Sequence, residues 1–272
     1  MNTKALLGLG LASMFTVAGC GAQDNTLTYD QFKATIHQEA DTGFYILNGD
    51  EIAETEDDLR AAYARYAGEE FNHNNGVSSK EQGLIVNRVG GADDKWNSTT
   101  AANLTYCIST SSFGTRKTSV VNAMNTATAA WEATARVNFV YSSGQDGSCT
   151  ASNSSVVFDV RQTTDQSFLA RAFFPSNSRS ARSVLISTSA FGSISPYTLA
   201  GILRHELGHT IGFRHEHTRP EAGGVCFEDN NWRALTSYDS RSVMHYPQCN
   251  GANTGDLVLT SSDKTGARAL YP

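Results

Sequence analysis

One stretch limits this chain more than any other: His205-Glu206-Leu207-Gly208-His209-Thr210-Ile211-Gly212-Phe213-Arg214-His215. On an α-helix, residues four apart stand one turn above each other, about 40° apart round the axis. His205 and His209 therefore offer two imidazoles to one point. A third, His215, follows six residues later. A continued helix would carry it about 9 Å further along, at about 1.5 Å per residue, whereas nitrogens sharing one zinc ion each lie about 2.0–2.1 Å from it. The helix must stop and the chain must turn back. Gly212 is where that can happen, because glycine takes the positive φ of a helix C-cap without steric cost. The stretch thus predicts a helix, a glycine cap and a return, with His205, His209 and His215 as ligands of Zn²⁺. Three protein ligands and one open position are the pattern of a zinc centre that does chemistry. Glu206 lies about 100° round the same helix, near the metal but not placed as a ligand, where a general base belongs.

The extended pattern, from His205 through Gly212 to His215, resembles the signature of the metzincin metallopeptidases. That clan carries a methionine turn downstream, and Ser242-Val243-Met244-His245-Tyr246 is similar to it. Gly212-Phe213-Arg214-His215-Glu216 and Tyr246 resemble astacins. The catalytic half as a whole is similar to the bacterial dual-action HEIGH metallopeptidases, with Leu207 where that name has isoleucine. The resemblance implies an α+β fold: a zincin/metzincin-like domain with a mixed twisted sheet, an active-site helix and a C-terminal subdomain. It implies a zinc-dependent endopeptidase acting on protein or peptide substrates, with Glu206 as base and Tyr246 hydrogen-bonding the developing oxyanion. It also implies an edge strand beside the cleft that pairs with extended peptide, for which residues 169–174 are the choice. Met244, with its flexible thioether, suits packing beneath the metal. Glu216 matches a position astacins use to anchor a matured N-terminus, and reads equally as a surface or supporting carboxylate. His217 is expected to be exposed and His245 structural. The competing class is a surface-anchored metal-binding or adhesion lipoprotein without turnover.

The N-terminus reads as an export signal. Lys4 precedes an apolar run over residues 5–17, too short for a comfortable membrane span. Val17-Ala18-Gly19-Cys20 resembles the lipobox of bacterial lipoproteins, which implies a signal peptide over 1–19, a lipid anchor at Cys20 and, with Gly21 following, an outer-membrane or cell-surface location. Cys107, Cys149, Cys226 and Cys249 remain, and four cysteines in an exported chain suggest two disulfides with three alternative pairings. Pairing neighbours, Cys107 with Cys149 and Cys226 with Cys249, is the simplest. The net charge of −6 and the lack of any block of five like charges exclude a nucleic-acid footprint. Oligomeric state and any calcium requirement leave no readable spacing.

The remaining chain divides into an N-terminal segment and linker over 20–83, a candidate propeptide, and a catalytic domain over 84–272. Thr28 with Gln31 forms a capping box opening a helix to about residue 39. Residues 43–47 read as a strand, Asn48-Gly49 as a hairpin turn with the partner strand from Asp50, and a helix from Thr55 ends at Gly68. Leu47-Asn48-Gly49-Asp50 resembles the Phe-x-Gly-Asp motif of astacin propeptides, leucine replacing phenylalanine, which implies that Asp50 sits on the zinc. Polar residues 69–83 read as an exposed linker containing His73. In the catalytic part, 118–134 has helical spacing with Trp131 in the core, 103–108, 137–141, 155–160, 168–174 and 183–187 read as strands, Ser195-Pro196 opens the active helix, residues 218–241 are irregular, and 261–271 is a capped closing helix.

Overall fold

A computed structural model describes residues 27–73 and 84–272, the side chains of 69–73 excepted. The expected signal peptide over 1–19, the expected anchor Cys20 and residues 74–83 of the expected linker lie outside them. Helix α1 (Tyr29–Thr35) has the expected capping box, with Gln31 N–H donating to the Thr28 hydroxyl at 3.3 Å and Thr28 N–H to Gln31 Oε1 at 2.8 Å. It ends short of residue 39 because the next residues extend into β1 (His37–Gln38), which pairs antiparallel with β2 (Tyr45–Leu47). The turn holds Asn48 at φ 56° and Gly49 at φ 100°. Leu47 pairs with Glu51, so β3 (Glu51–Ala53) resumes one residue later than expected and Asp50 stays at the tip, outside the ladder. Helix α2 (Glu56–His73) starts on a reciprocal Thr55–Asp58 cap. It runs past Gly68, so part of the expected linker is helical. Leu59 and Ala62 pack with Tyr45, Leu47 and Ala53, partly covered by Phe32 and Tyr29. So small a core is marginal alone, and this unit leans on the larger domain.

The larger part runs through β4 (Ile85–Val89), β5 (Ala92–Asp93), α3 (Ser98–Ala101), β6 (Leu104–Ile108), α4 (Thr110–Phe113), α5 (Lys117–Glu132), β7 (Phe139–Tyr141), β8 (Phe158–Thr163), β9 (Ala170–Arg171), β10 (Ser183–Ser187), α6 (Leu199–Thr210), β11 (Trp232–Ala234) and α7 (Ser261–Leu270). Its main sheet is mixed, in the order β7-β6-β8-β10-β9. The first four strands are parallel, and β9 runs antiparallel on the edge, covering only Ala170–Arg171 of the 169–174 stretch expected to pair with peptide. Strand β8 falls three residues later than its alternation suggests, in register with Tyr106 opposite Phe158. Helices α5 and α6 pack together on the sheet. Val120, Met124, Ala127 and Trp131 of α5 meet Leu203 and Leu207 of α6 above Tyr106, Phe158 and Val160. Trp131 is core, its indole N–H donating to the Arg204 carbonyl at 2.9 Å. The disulfides are Cys107–Cys149 and Cys226–Cys249. Among the described residues no helix is long and apolar enough to cross a membrane.

Candidate metal centre and active site

Helix α6 carries the first two histidines. It begins three residues later than the sequence suggests: the Thr198 hydroxyl caps it, accepting from Gly201 N–H at 3.0 Å, while Pro196 follows a cis bond and lies against Gly255. The helix ends as the spacing requires. Gly212 has φ 99°. Its N–H donates to the His209 carbonyl at 2.8 Å and Phe213 N–H to the Gly208 carbonyl at 3.0 Å, the paired bonds of a Schellman cap. A side chain here would also collide with the Asp94 carbonyl. The exit segment then joins β4, with Asn87 N–H donating to the Gly212 carbonyl at 2.8 Å and Arg214 N–H to the Ile85 carbonyl at 3.0 Å. That pairing brings His215 back under the helix.

The three imidazoles converge. His205 Nδ1 is 2.7 Å from the Val243 carbonyl and His209 Nδ1 is 2.8 Å from the Phe213 carbonyl. His215 Nδ1 is 2.6 Å from Glu228 Oε1. Each Nδ1 faces an acceptor, so it carries the proton and Nε2 presents a lone pair. Two nitrogens on one tetrahedral zinc stand roughly 3.3 Å apart, from bonds of about 2.0–2.1 Å. His205 Nε2 and His215 Nε2 are 3.2 Å apart, and His209 Nε2 is buried with no hydrogen-bond partner. These residues fit a zinc ion. Burial opposes a charge on His215, but the Asp50 and Glu228 carboxylates outweigh it and raise its pKa well above the usual value.

The methionine turn supports this cluster from below. Met244 is fully buried, and a side chain at Gly208 would collide with its sulfur. Its neighbour Val243 supplies the carbonyl that orients His205, and Asp263 of α7 holds the turn by accepting from Ser242 Oγ at 2.5 Å and Val243 N–H at 2.9 Å. Tyr246 places its ring 4.5 Å from His215 and 5.3 Å from His205. Glu206 is 3% exposed, with Oε2 lacking a partner. Burial, and after it the Asp50 carboxylate, raises its pKa well above the usual range. Beside Glu206 a cavity of about 270 Å³ lies between β9 and α6, lined by Leu169, Tyr197, Ile202, Tyr246 and Leu257.

The open position faces the N-terminal unit. Asp50 Oδ2 is 3.2 Å from His205 Nε2, and Oδ1 is 3.2 Å from His215 Nε2 and 3.5 Å from His209 Nε2. The Tyr246 hydroxyl also donates to Asp50. Its ligand atoms and those of the three histidines lie within 4.8 Å of one another. Burial alone would raise the Asp50 pKa, but His215 and His209 hold it well below the usual range. Just past the edge strand, Ala172 N–H donates to the Asp50 carbonyl at 3.3 Å. Arg171 meets Glu39 through two bonds of 2.7 Å, and Arg65 meets Asp229 at 2.9 Å.

Sequence reasoning missed a buried charge cluster. Arg214 donates to Glu228 Oε2 at 2.8 Å and to Asp229, and stands 3.5 Å from Glu51. Nothing marked Glu228 within an irregular polar stretch. His217 is not exposed: it is 2% accessible, stacked against both His215 and Tyr246. The surface reading of Glu216 also fails, since it is fully buried, accepting from Asp239 N–H at 3.0 Å. His245 is structural, its Nε2 2.9 Å from the Tyr238 hydroxyl.

Comparison with known proteins bears on this geometry. Residues 95–222, just under half of the chain, match the family model of matrixin, peptidase family M10. Nematocyst expressed protein 6 of Nematostella vectensis is 32% identical over 93 residues, 28% of this chain and 32% of that protein. Tolloid-like protein 1 of Homo sapiens is 36% identical over 89 residues, 25% of this chain and 9% of that protein. The matched stretch thus spans a third or less of these relatives' length. Myroilysin is similar at 17% identity and a TM-score of 0.47, with 69% of this chain covering 98% of it. High choriolytic enzyme 1, a hatching enzyme zinc-protease from the medaka Oryzias latipes, is similar at 19% identity and a TM-score of 0.45, with 68% of this chain covering 98% of it. The residues that match the matrixin model include His205, His209 and His215 of the histidine cluster.

Proposed function

We propose that this chain is a zinc-dependent endopeptidase, akin to the dual-action HEIGH enzymes, made in a latent form whose N-terminal unit fills the cleft. The observation that carries the reading is the convergence of three imidazole Nε2 atoms on one point, with Glu206 beside it and Asp50 at the remaining position. Bound zinc supplies Lewis acidity that polarises the scissile carbonyl and activates water. Glu206 takes the proton of the attacking water and passes it to the leaving amine. Tyr246, released from Asp50, donates its hydroxyl to the developing oxyanion. Substrate lies along β9 and the residue after it, where the Ala172 N–H now given to Asp50 becomes available to an extended peptide. The apolar cavity beside Glu206 takes an aliphatic or aromatic side chain next to the scissile bond.

Latency follows from the same contacts. Asp50 occupies the substrate side of the metal site and ties up Tyr246. Its negative charge also disfavours the ionised form of Glu206 that catalysis needs. The linker after α2 is the natural point of release. The test compares the purified full chain with the same chain nicked within 74–83, on a general protein substrate with and without a zinc chelator. Chelator-sensitive cleavage that rises on nicking supports the reading. Zinc binding without cleavage in either form would instead favour a surface-anchored binding protein. Anchoring at Cys20 is a further proposal, tested by mass spectrometry of the mature N-terminus for a lipidated cysteine.

A further inference from the structure

The three metal-facing histidines are not held alike. His205 and His209 each give Nδ1–H to a neutral backbone carbonyl, whereas His215 gives it to the carboxylate of Glu228 at 2.6 Å. The same oxygen lies 3.3 Å from His217 Nε2. The tautomer of His217 follows from its other nitrogen: Nδ1 accepts the Tyr246 backbone N–H at 3.2 Å, so Nε2 carries the proton and points at Glu228. The second carboxylate oxygen accepts from Arg214 at 2.8 Å. Glu228 N–H donates to the Thr218 hydroxyl at 3.0 Å, which fixes its backbone. Arg214, His215, His217, Thr218 and Glu228 are all buried. His215, His217 and Glu228 cluster tightly enough to suggest a second metal site, but the two N–H donors account for every short contact.

We infer that Glu228 is a positioning residue which sets His215 as the third metal ligand and, through His217, sets Tyr246 above it. This rests on the metal-centre reading. A carboxylate on the far nitrogen fixes the imidazole tautomer and ring plane and makes the metal-facing nitrogen more basic. His217 transmits the same anchor to Tyr246 twice, through the backbone bond and through ring stacking at 4.9 Å. Glu228 touches neither the metal point nor the space above it.

The test is zinc affinity of the full chain by competition with a chromophoric chelator, for the parent, Glu228→Gln and Asp229→Asn. Asp229 shares Arg214 with Glu228 but does not reach His215, so its variant controls for disturbance of the buried cluster. The expected result is a roughly 10–100-fold loss of affinity in Glu228→Gln, a loss below about threefold in Asp229→Asn, and a shifted visible spectrum in cobalt-substituted Glu228→Gln alone. Equal affinities in all three proteins, or equal losses in both variants, would overturn the inference while leaving the metal centre standing. A parent chain that binds no zinc would overturn both. If Glu228→Gln does not fold, nitrogen-15 spectra of histidine in the parent decide: a His215 Nδ1 proton far downfield supports the assignment, and an unprotonated Nδ1 overturns it.

Discussion

The Glu39–Arg171 pair is the place to perturb docking of the N-terminal unit, because it joins unit to domain without touching the histidines. Glu39 is 4% exposed and Arg171 1%. Two N–H···O bonds of 2.7 Å link them, and the guanidinium's other bond goes to the Ser183 carbonyl at 3.3 Å. Glu39→Gln keeps the shape but offers one acceptor oxygen to two donors and turns its own NH₂ toward the second. The guanidinium loses its counter-charge while buried. Breaking one side of a buried pair costs about 3–5 kcal/mol. The lower figure is the better one here, because the unit can lift and let water reach Arg171. At about 1.4 kcal/mol per tenfold, that shifts the docking equilibrium roughly a hundredfold. Amide exchange at Ala172, whose N–H is held by the Asp50 carbonyl, reads the equilibrium directly. It should quicken by about that factor, and peptidase activity of the uncut chain should rise with it. Exchanging the two charges, Glu39→Arg with Arg171→Glu, should recover much of the protection. Parent-like protection of Ala172 in Glu39→Gln would refute the reasoning.

Other outcomes follow from the same geometry. Glu206→Gln should retain zinc and thermal stability and lose about 10²–10⁴-fold in peptide cleavage, whereas His209→Ala should fail to retain zinc in dialysis. Asp50→Ala should raise the activity of the uncut chain toward that of the nicked form, and equal activities would leave the unit a folding aid. Replacing Cys226 and Cys249 by serine opens a loop of 23-residue separation that contains Met244 and Tyr246. Loop entropy puts the loss at about 3 kcal/mol, read by calorimetry as a fall of roughly 6–12 °C in Tm. Acid should loosen α1 from α2: hydrogen bonds from Lys33, then Tyr29 and Tyr45, lower the Glu56 pKa from 4.5 to about 2. A depressed carboxylate stabilises the fold above 4.5, and that contribution fades as pH falls through about 2. Protection of the α1 amides, measured against their intrinsic exchange, should therefore fall over that window in the parent but not in Glu56→Gln.

The elements legible in the chain are those whose signal is local. His205, His209, Gly212 and His215 specify a helix, its stop and its return by covalent spacing and φ preference alone. Capping at Thr28 and Thr55, the Asn48-Gly49 turn and the core face of α5 are likewise short-range. Boundaries failed where distant pairing competes with local preference. Residues 37–38 leave the helical pattern to pair with β2, and α6 waits for the Thr198 cap although Ser195-Pro196 looks like a start.

Longer-range features needed the folded chain. That Asp50 stands on the histidines was suggested by the resemblance of a four-residue stretch. That it lies within hydrogen-bonding reach of two of them depends on an N-terminal unit docked more than 150 residues away in sequence. Glu228 carries no signature, since a carboxylate in a polar loop looks the same whether solvated or buried against an imidazole. Its role exists because β4 returns residues 212–215 beneath α6, while the irregular chain after residue 218 brings a carboxylate to the far side of His215. Spacing along a helix can present ligands to a metal. What stands behind each ligand depends on which segments meet there in three dimensions.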